Sequence, residues 1–127
     1  ILLFSKEKQP QGLLDGFHLF CNQNNMEYEV ISSLENKIPK KGELYVVLED
    51  KNLLRIIKKT QKEQLLLIKD IGIISYNDTL LKEVVEGGIT TISTDFNLMG
   101  KNLANMIIGN QKKSIENPSN LIKRNSL

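Results

Sequence analysis

Several residue types are scarce in this 127-residue sequence, and each scarcity removes a class of protein. Cys21 is the only cysteine, so neither an internal disulfide nor a cysteine-based metal cage can form, which suits a reducing compartment. His18 is the only histidine. It falls within a predicted helix with no serine or cysteine pairing evident, and reads as a surface or partly packed side chain rather than a catalytic base. No apolar run approaches the ~20 residues of a membrane span, and Ile1 to Phe4 is too short for a signal-peptide core. Glycine is present but never as a phosphate loop: Gly12 and Gly16, or Gly87 and Gly88, lack the spacing and the following lysine or third glycine. Charge of one sign is lacking too. Against 17 basic residues stand 15 acidic ones, so the net charge of +2 calls for neither nucleic acid nor a membrane surface. The pairs Lys40-Lys41, Lys58-Lys59, Lys112-Lys113 and Lys123-Arg124 read as a solvated face. The first residue is Ile1 rather than Met, and a fragment of a longer chain is expected.

What is present suffices for one packed domain. The length is that of a single unit burying about two thirds of its unfolded surface, and a composition 40% hydrophobic and 25% charged is far from that of disorder. The apolar period alternates between strand-like runs and helical stripes, the pattern of a parallel sheet covered by helices. Strands are predicted at Ile1–Phe4, Tyr28–Ile31, Leu44–Leu48, Ile71–Ser75 and Ile89–Ser93, with a last short one at Leu121–Asn125. The first helix carries Leu13, Leu14, Phe17, Phe20 and Cys21 on one face. Ser32 to Gly42 is a plain connection. A second helix starts at Asp50 with Leu53, Leu54, Ile56 and Ile57 inward, and Gln64–Ile68 continues either as a helix tail or as an extended lead-in. A two-turn third helix capped by Asp78 carries Leu80, Leu81, Val84 and Val85, and Gly87-Gly88 ends it. The fourth, from Asp95 to Ile108, bears the stripe Phe96, Met99, Leu103 and Ile107. The fold class is therefore α/β: a doubly wound, mainly parallel sheet flanked by helices.

In such sheets ligands bind beyond the carboxyl ends of the strands. That rule selects Glu49 and Asp50 after the third strand, Tyr76, Asn77 and Asp78 after the fourth, and Thr94, Asp95 and Phe96 after the fifth. Polar groups beside aromatic rings suit a small polar ligand. Asp50, Asp78 and Asp95 serve equally well as helix N-caps, which leaves Asn77 and Thr94 as the better ligand groups. A receiver-type phosphorylation domain would need acidic residues after the first strand, where this chain has Ser5 and Lys6.

The run Ile71-Gly72-Ile73-Ile74-Ser75-Tyr76-Asn77-Asp78-Thr79, the run from Gly88 through Thr94-Asp95-Phe96 to Gly100, Asn117-Pro118, and the ending Leu121 to Leu127 together resemble the C-terminal signature of the LacI/GalR regulators. Asp15-Gly16-Phe17 and Val46 to Asp50 extend the resemblance weakly over the rest. It implies half of a type I periplasmic-binding-protein-like effector domain: residues 1–92 in the C-terminal subdomain, 93–117 in a crossover helix and loop of the N-terminal subdomain, and 118–127 in a strand returning to the first. It implies also a cytoplasmic, non-enzymatic protein without cofactor or metal. Such a protein binds a small polar effector such as a sugar or nucleobase, forms a homodimer, and touches operator DNA only through an N-terminal head of helix-turn-helix or winged-helix type. By position, Asn77 stands where the family usually has an effector-binding aspartate. Thr94 and Phe96 are further contact positions, and Glu49 replaces a common polar amide. Leu13 stands where an arginine commonly clamps ligand hydroxyls, and losing that guanidinium removes up to five donors.

Three other readings stay open on the residues: a secreted solute-binding protein of the same fold, an enzyme on a flavodoxin-like scaffold, and a dimerisation module that no longer binds ligand. The fourth helix, in the implied architecture, packs on a sheet absent from this chain. It is therefore expected to cover its stripe by self-association or by docking on the chain's own sheet.

Overall fold

The computed structural model of the chain describes residues 1–5 and 9–127; Lys6, part of the argument against a receiver domain, lies outside them. The elements in chain order are β1 (Leu2–Leu3), α1 (Gln11–Gln23), β2 (Val30–Ile31), β3 (Leu44–Val47), α2 (Asp50–Lys62), β4 (Gly72–Tyr76), α3 (Leu80–Val84) with a 3-10 turn at Val85–Gly87, β5 (Thr90–Thr94), α4 (Phe96–Ile108) and β6 (Ser119–Ile122). They build a six-stranded sheet of order β2-β1-β3-β4-β5-β6. All neighbours are parallel except β6, which runs antiparallel to β5 with Thr91 opposite Ile122 and Thr94 opposite Ser119. The expected α/β sheet is thus present, and the order reverses beside β1, as a doubly wound sheet requires.

The period of two divides the strands between two cores. On one face Leu3, Tyr45, Val47 and Ile73 join Leu53, Ile56 and Ile57 of α2 and Leu34 of the β2–β3 connection. That connection has no helix, and fully buried Leu34 is its anchor. On the other face Leu2, Phe4 and Leu14 are buried, with Leu13, Phe17, Val46 and Leu48 packed around them. At the end of α2 the chain resolves the open choice toward an extended lead-in: Gln64 and Ile68 take positive φ, and Leu67 bridges Ile71.

Five apolar residues of the predicted helices lie outside the core. Phe20 and Leu54 are exposed, since the sheet is contacted by a narrower stripe of each helix than the sequence suggests. On α3, Leu80, Leu81 and Val84 point to solvent, while Lys82 is buried and Val85 alone of that set packs on the core. A five-residue helix is too short for its own stripe to decide its rotation, and the polar anchoring of Lys82 decides it instead. The last strand is Ser119–Ile122 rather than Leu121–Asn125. Finally, α4 does not dock on its own sheet: none of its residues is buried, and Leu103 and Ile107 are 57% and 71% exposed. Its first turn is held at Asp95, whose amide donates to Pro118 O, so the helix departs from the sheet where β5 ends.

Candidate functional site

The strand order places β1, β3, β4 and β5 side by side, so the chain segments leaving their carboxyl ends line one edge of the sheet. At about 4.8 Å per strand spacing this edge is roughly 14 Å long. Glu49 and Asp50 follow β3, Asn77 and Asp78 follow β4, and Thr94 closes β5 with Phe96 opening α4. Leu13, on α1 after β1, completes the row.

The three aspartates divide by role. Asp95 caps α4 as expected, its Oδ1 accepting from Leu98 N at 2.9 Å. Asp50 is the first residue of α2 and its carboxylate turns to Lys82 Nζ at 2.9 Å. Asp78 caps nothing. Thr79 caps α3, and Asp78 receives both ends of the Arg124 guanidinium at 2.7 and 2.8 Å together with the Thr91 hydroxyl at 3.0 Å. This fork-on-carboxylate geometry is the strongest planar ion pair available to a protein. Gly88 makes room for it: its φ of 109° belongs to glycine, and a Cβ there would stand 2.9 Å from Arg124 Cδ.

Hydrogen bonding from Arg124, joined by the Thr91 hydroxyl, holds the Asp78 carboxyl below the usual carboxylate range although burial opposes it. A carboxyl whose folded-state affinity for protons is depressed stabilises the fold above its unfolded value and loses that contribution as the pH falls through the folded one. The window is below about pH 4. Glu43 shifts in the same direction, through its bonds from Tyr45, Lys40 and Lys37 and against burial, as does Asp70, bonded by the Leu66 amide and Lys41. Urea midpoints measured from pH 7 down to pH 3 should therefore fall for the natural chain, and Asp78→Asn should start lower and fall less steeply. Parallel curves would assign acid sensitivity to the other carboxyls.

The remaining polar candidates are differently engaged. Asn77 adopts the left-handed conformation with φ 58°, which asparagine tolerates better than most residues. Its amide donates to Ile92 O at 2.8 Å and its carbonyl accepts from Lys82 Nζ at 2.7 Å, while its side-chain amide has no hydrogen-bond partner among the described residues. Thr94 is half-buried and its hydroxyl lies 3.4 Å from that of Ser119 on β6. Phe96 is 49% exposed on the first turn of α4, and Glu49 is half-buried at the N-terminus of α2. Leu13 is half-buried and belongs to the apolar cluster with Phe17, Val46 and Leu48, so its corner offers hydrocarbon where an arginine would offer donors. Sequence reasoning passed over Lys82 and read Arg124, paired with Lys123, as part of a solvated face, whereas its side chain is largely buried against Asp78. A lysine among exposed leucines and an arginine in a polar tail carry no local signal, because their partners lie in other strands and helices.

Among the described residues no group of histidine, cysteine, aspartate or glutamate could hold a metal ion, and no helix is long and apolar enough to cross a membrane. A hollow of about 320 Å³ lined by Ile57, Thr60, Gln61 and Glu86 lies at the far end of α2, away from the strand edge.

No protein-family model matches the chain, and no curated protein sequence does. Solved structures do match. The lactose repressor bound to the anti-inducer ONPF is 20% identical, with a TM-score of 0.69 over 89% of this chain and 49% of that one. The transcriptional regulator CelR in complex with cellobiose is 17% identical, with a TM-score of 0.73 over 98% of this chain and 45% of CelR. A protein described as a transcription regulator from Staphylococcus saprophyticus is 19% identical, with a TM-score of 0.74 over 98% and 54%. The chain spans about half the length of these relatives, whose names are those of a repressor and two regulators of transcription. The β2-β1-β3-β4-β5-β6 sheet with its flanking helices accordingly has the fold of about half of the lactose repressor chain.

Proposed function

We propose that this chain is the effector-sensing half-domain of a LacI/GalR-type regulator of transcription. Residues 1–92 and 118–127 form one subdomain and residues 93–117 belong to the other. The observation that carries the reading is the free side-chain amide of Asn77 in the middle of the strand-end edge, flanked by Glu49 on one side and Thr94 and Phe96 on the other. The relatives solved with cellobiose and with ONPF support a small polar ligand, with Asn77 and Thr94 hydrogen-bonding it, Phe96 stacking on it and Glu49 accepting from it. Leu13 supports a ligand that shows this wall an apolar face rather than a cluster of hydroxyls. The protein acts by coupling: ligand favours one closure state of the two subdomains, that state has a different affinity for operator DNA, and the DNA is touched by an N-terminal head outside this chain. It works in the cytoplasm as a homodimer.

The experiment is a thermal-shift screen of the full-length protein against mono- and disaccharides and nucleobases, followed by calorimetry. Asn77→Ala should weaken the binding found by about 1–3 kcal/mol, the cost of a lost buried hydrogen bond. Unchanged affinity would take Asn77 out of the site. A screen in which no compound raises Tm would favour the pure dimerisation module, which the apolar surroundings of Leu13 also fit.

A further inference from the structure

Lys82 is the only charged side chain that is fully buried among the described residues, at 2% exposure. Its Nζ donates to Tyr76 O at 2.8 Å and to Asn77 O at 2.7 Å, and meets Asp50 Oδ1 at 2.9 Å. These three acceptors use all three protons of the ammonium. A buried ammonium is costly even when so matched, and an apolar side chain of similar length would fill the same space without that cost. The arrangement therefore does something that packing alone does not.

In an extended strand successive carbonyls point in opposite directions. Two consecutive carbonyls reach one cation only where the chain turns between them. Asn77 makes that turn with its φ of 58°, so the left-handed conformation and the convergence of the Tyr76 and Asn77 carbonyls on Lys82 are one feature. The Asn77 amide is fixed from the other side by Ile92 O of β5. With both backbone groups held, only its side chain is left to face a ligand. Through Asp50 the same ammonium reaches the first turn of α2, directly after Glu49.

We propose that Lys82 is the positioning residue of the candidate site: its ammonium sets the left-handed turn at Asn77 and fastens the end of β4 to the start of α2, so that Asn77 and the Glu49–Asp50 corner form one rigid wall toward the ligand. The proposal rests on Asn77 as a ligand group, but it is read without any ligand, so the two ideas fail separately. Asn77→Ala calorimetry tests the ligand role, and backbone spectroscopy of Asn77 tests the positioning.

The test uses the isotopically labelled 127-residue chain. In the natural chain the Cα and Cβ shifts of Asn77 should be those of a left-handed residue. In Lys82→Met they should move toward extended values, and the Asn77 amide should exchange faster by about tenfold or more, as loss of bonds from a charged donor implies. Ile73 and Ser75, inside β4, should keep their shifts. A folded Lys82→Met chain with an unchanged left-handed Asn77 would overturn the proposal, since a lysine that merely stabilises would lower Tm and leave that signature in place. Should Lys82→Met fail to fold, Asp50→Asn decides, because this half-exposed carboxylate holds only one of the three bonds. Faster exchange at Asn77 together with the first turn of α2 supports the fastening, and a change confined to α2 refutes it.

Discussion

Removing Arg124 to Leu127 is expected to destabilise the chain by about 4 kcal/mol or more, a large part of the roughly 5–15 kcal/mol that holds a domain of this size together. The segment is far from a loose end. Ser126 is fully buried: its hydroxyl donates to Ile73 O at 2.6 Å and accepts from Thr90 N at 2.8 Å, and its carbonyl accepts from Ile73 N at 2.7 Å. It therefore completes the hydrogen bonding of β4 and β5 at their amino ends, where both strands lie in the core. Arg124 adds the bidentate pair with Asp78, a bond to Ile89 O at 3.0 Å, and an exchange between its own backbone and the Thr90 hydroxyl. Truncation takes the Ser126 carbonyl from Ile73 N and the Ser126 hydroxyl from Ile73 O and Thr90 N, and a buried group left unsatisfied costs about 1–3 kcal/mol to the extent that water cannot reach it. It also leaves Asp78 without its cation, a loss tempered by the partial exposure of that pair. The check is urea unfolding followed by circular dichroism, with Ser126→Ala as the single-residue comparison at about 1–3 kcal/mol. A truncated chain with the midpoint of the intact one would show that the tail only decorates the sheet.

The same tail shows why some of this molecule was legible in its sequence and some was not. The strands before it announce themselves locally: Leu44 to Val47 and Gly72 to Tyr76 are apolar runs bounded by turn residues, and their parallel pairing follows from the intervening helix of 3.6-residue period. The row of candidate ligand groups follows in turn, because a parallel sheet puts every strand's carboxyl end on one edge. Tertiary polar contacts have no such period. Ser126 belongs to the core because of a gap between two strands 36 and 53 positions earlier. Asp78 looks like a helix cap until Arg124 arrives, and Lys82 looks like a solvent-facing lysine until the turn at Asn77 presents two carbonyls to it. The rotation of α3 is not legible in the sequence for this reason, since hydrophobic spacing is a sound guide only where apolar burial decides how a helix turns.

On α4 the spacing was read correctly and its partner is missing, which leads to the second large effect. Phe96, Met99, Leu103 and Ile107 fall at intervals of three and four residues and so share one face of the helix. The chain's own sheet does not cover them, and Ile108 at 85% exposure continues the surface. Fully burying one such side chain is worth roughly 1.5–3 kcal/mol, and a continuous stripe of this kind is larger than the isolated apolar side chains that soluble surfaces carry. In a solution of this chain alone the available cover is a second copy, so the weight-average mass in sedimentation equilibrium should rise with concentration. Phe96→Ser with Leu103→Ser removes an aromatic ring at the start and an aliphatic side chain at the centre of the stripe while leaving the Asp95 cap and the Gly109 end of the helix intact. The doubly substituted chain should remain monomeric at concentrations where the natural one associates, with unchanged helix content by circular dichroism. Monomeric behaviour of both over the whole dilution series would show that α4 stays in water uncovered, and equal association of both would place the contact on another surface.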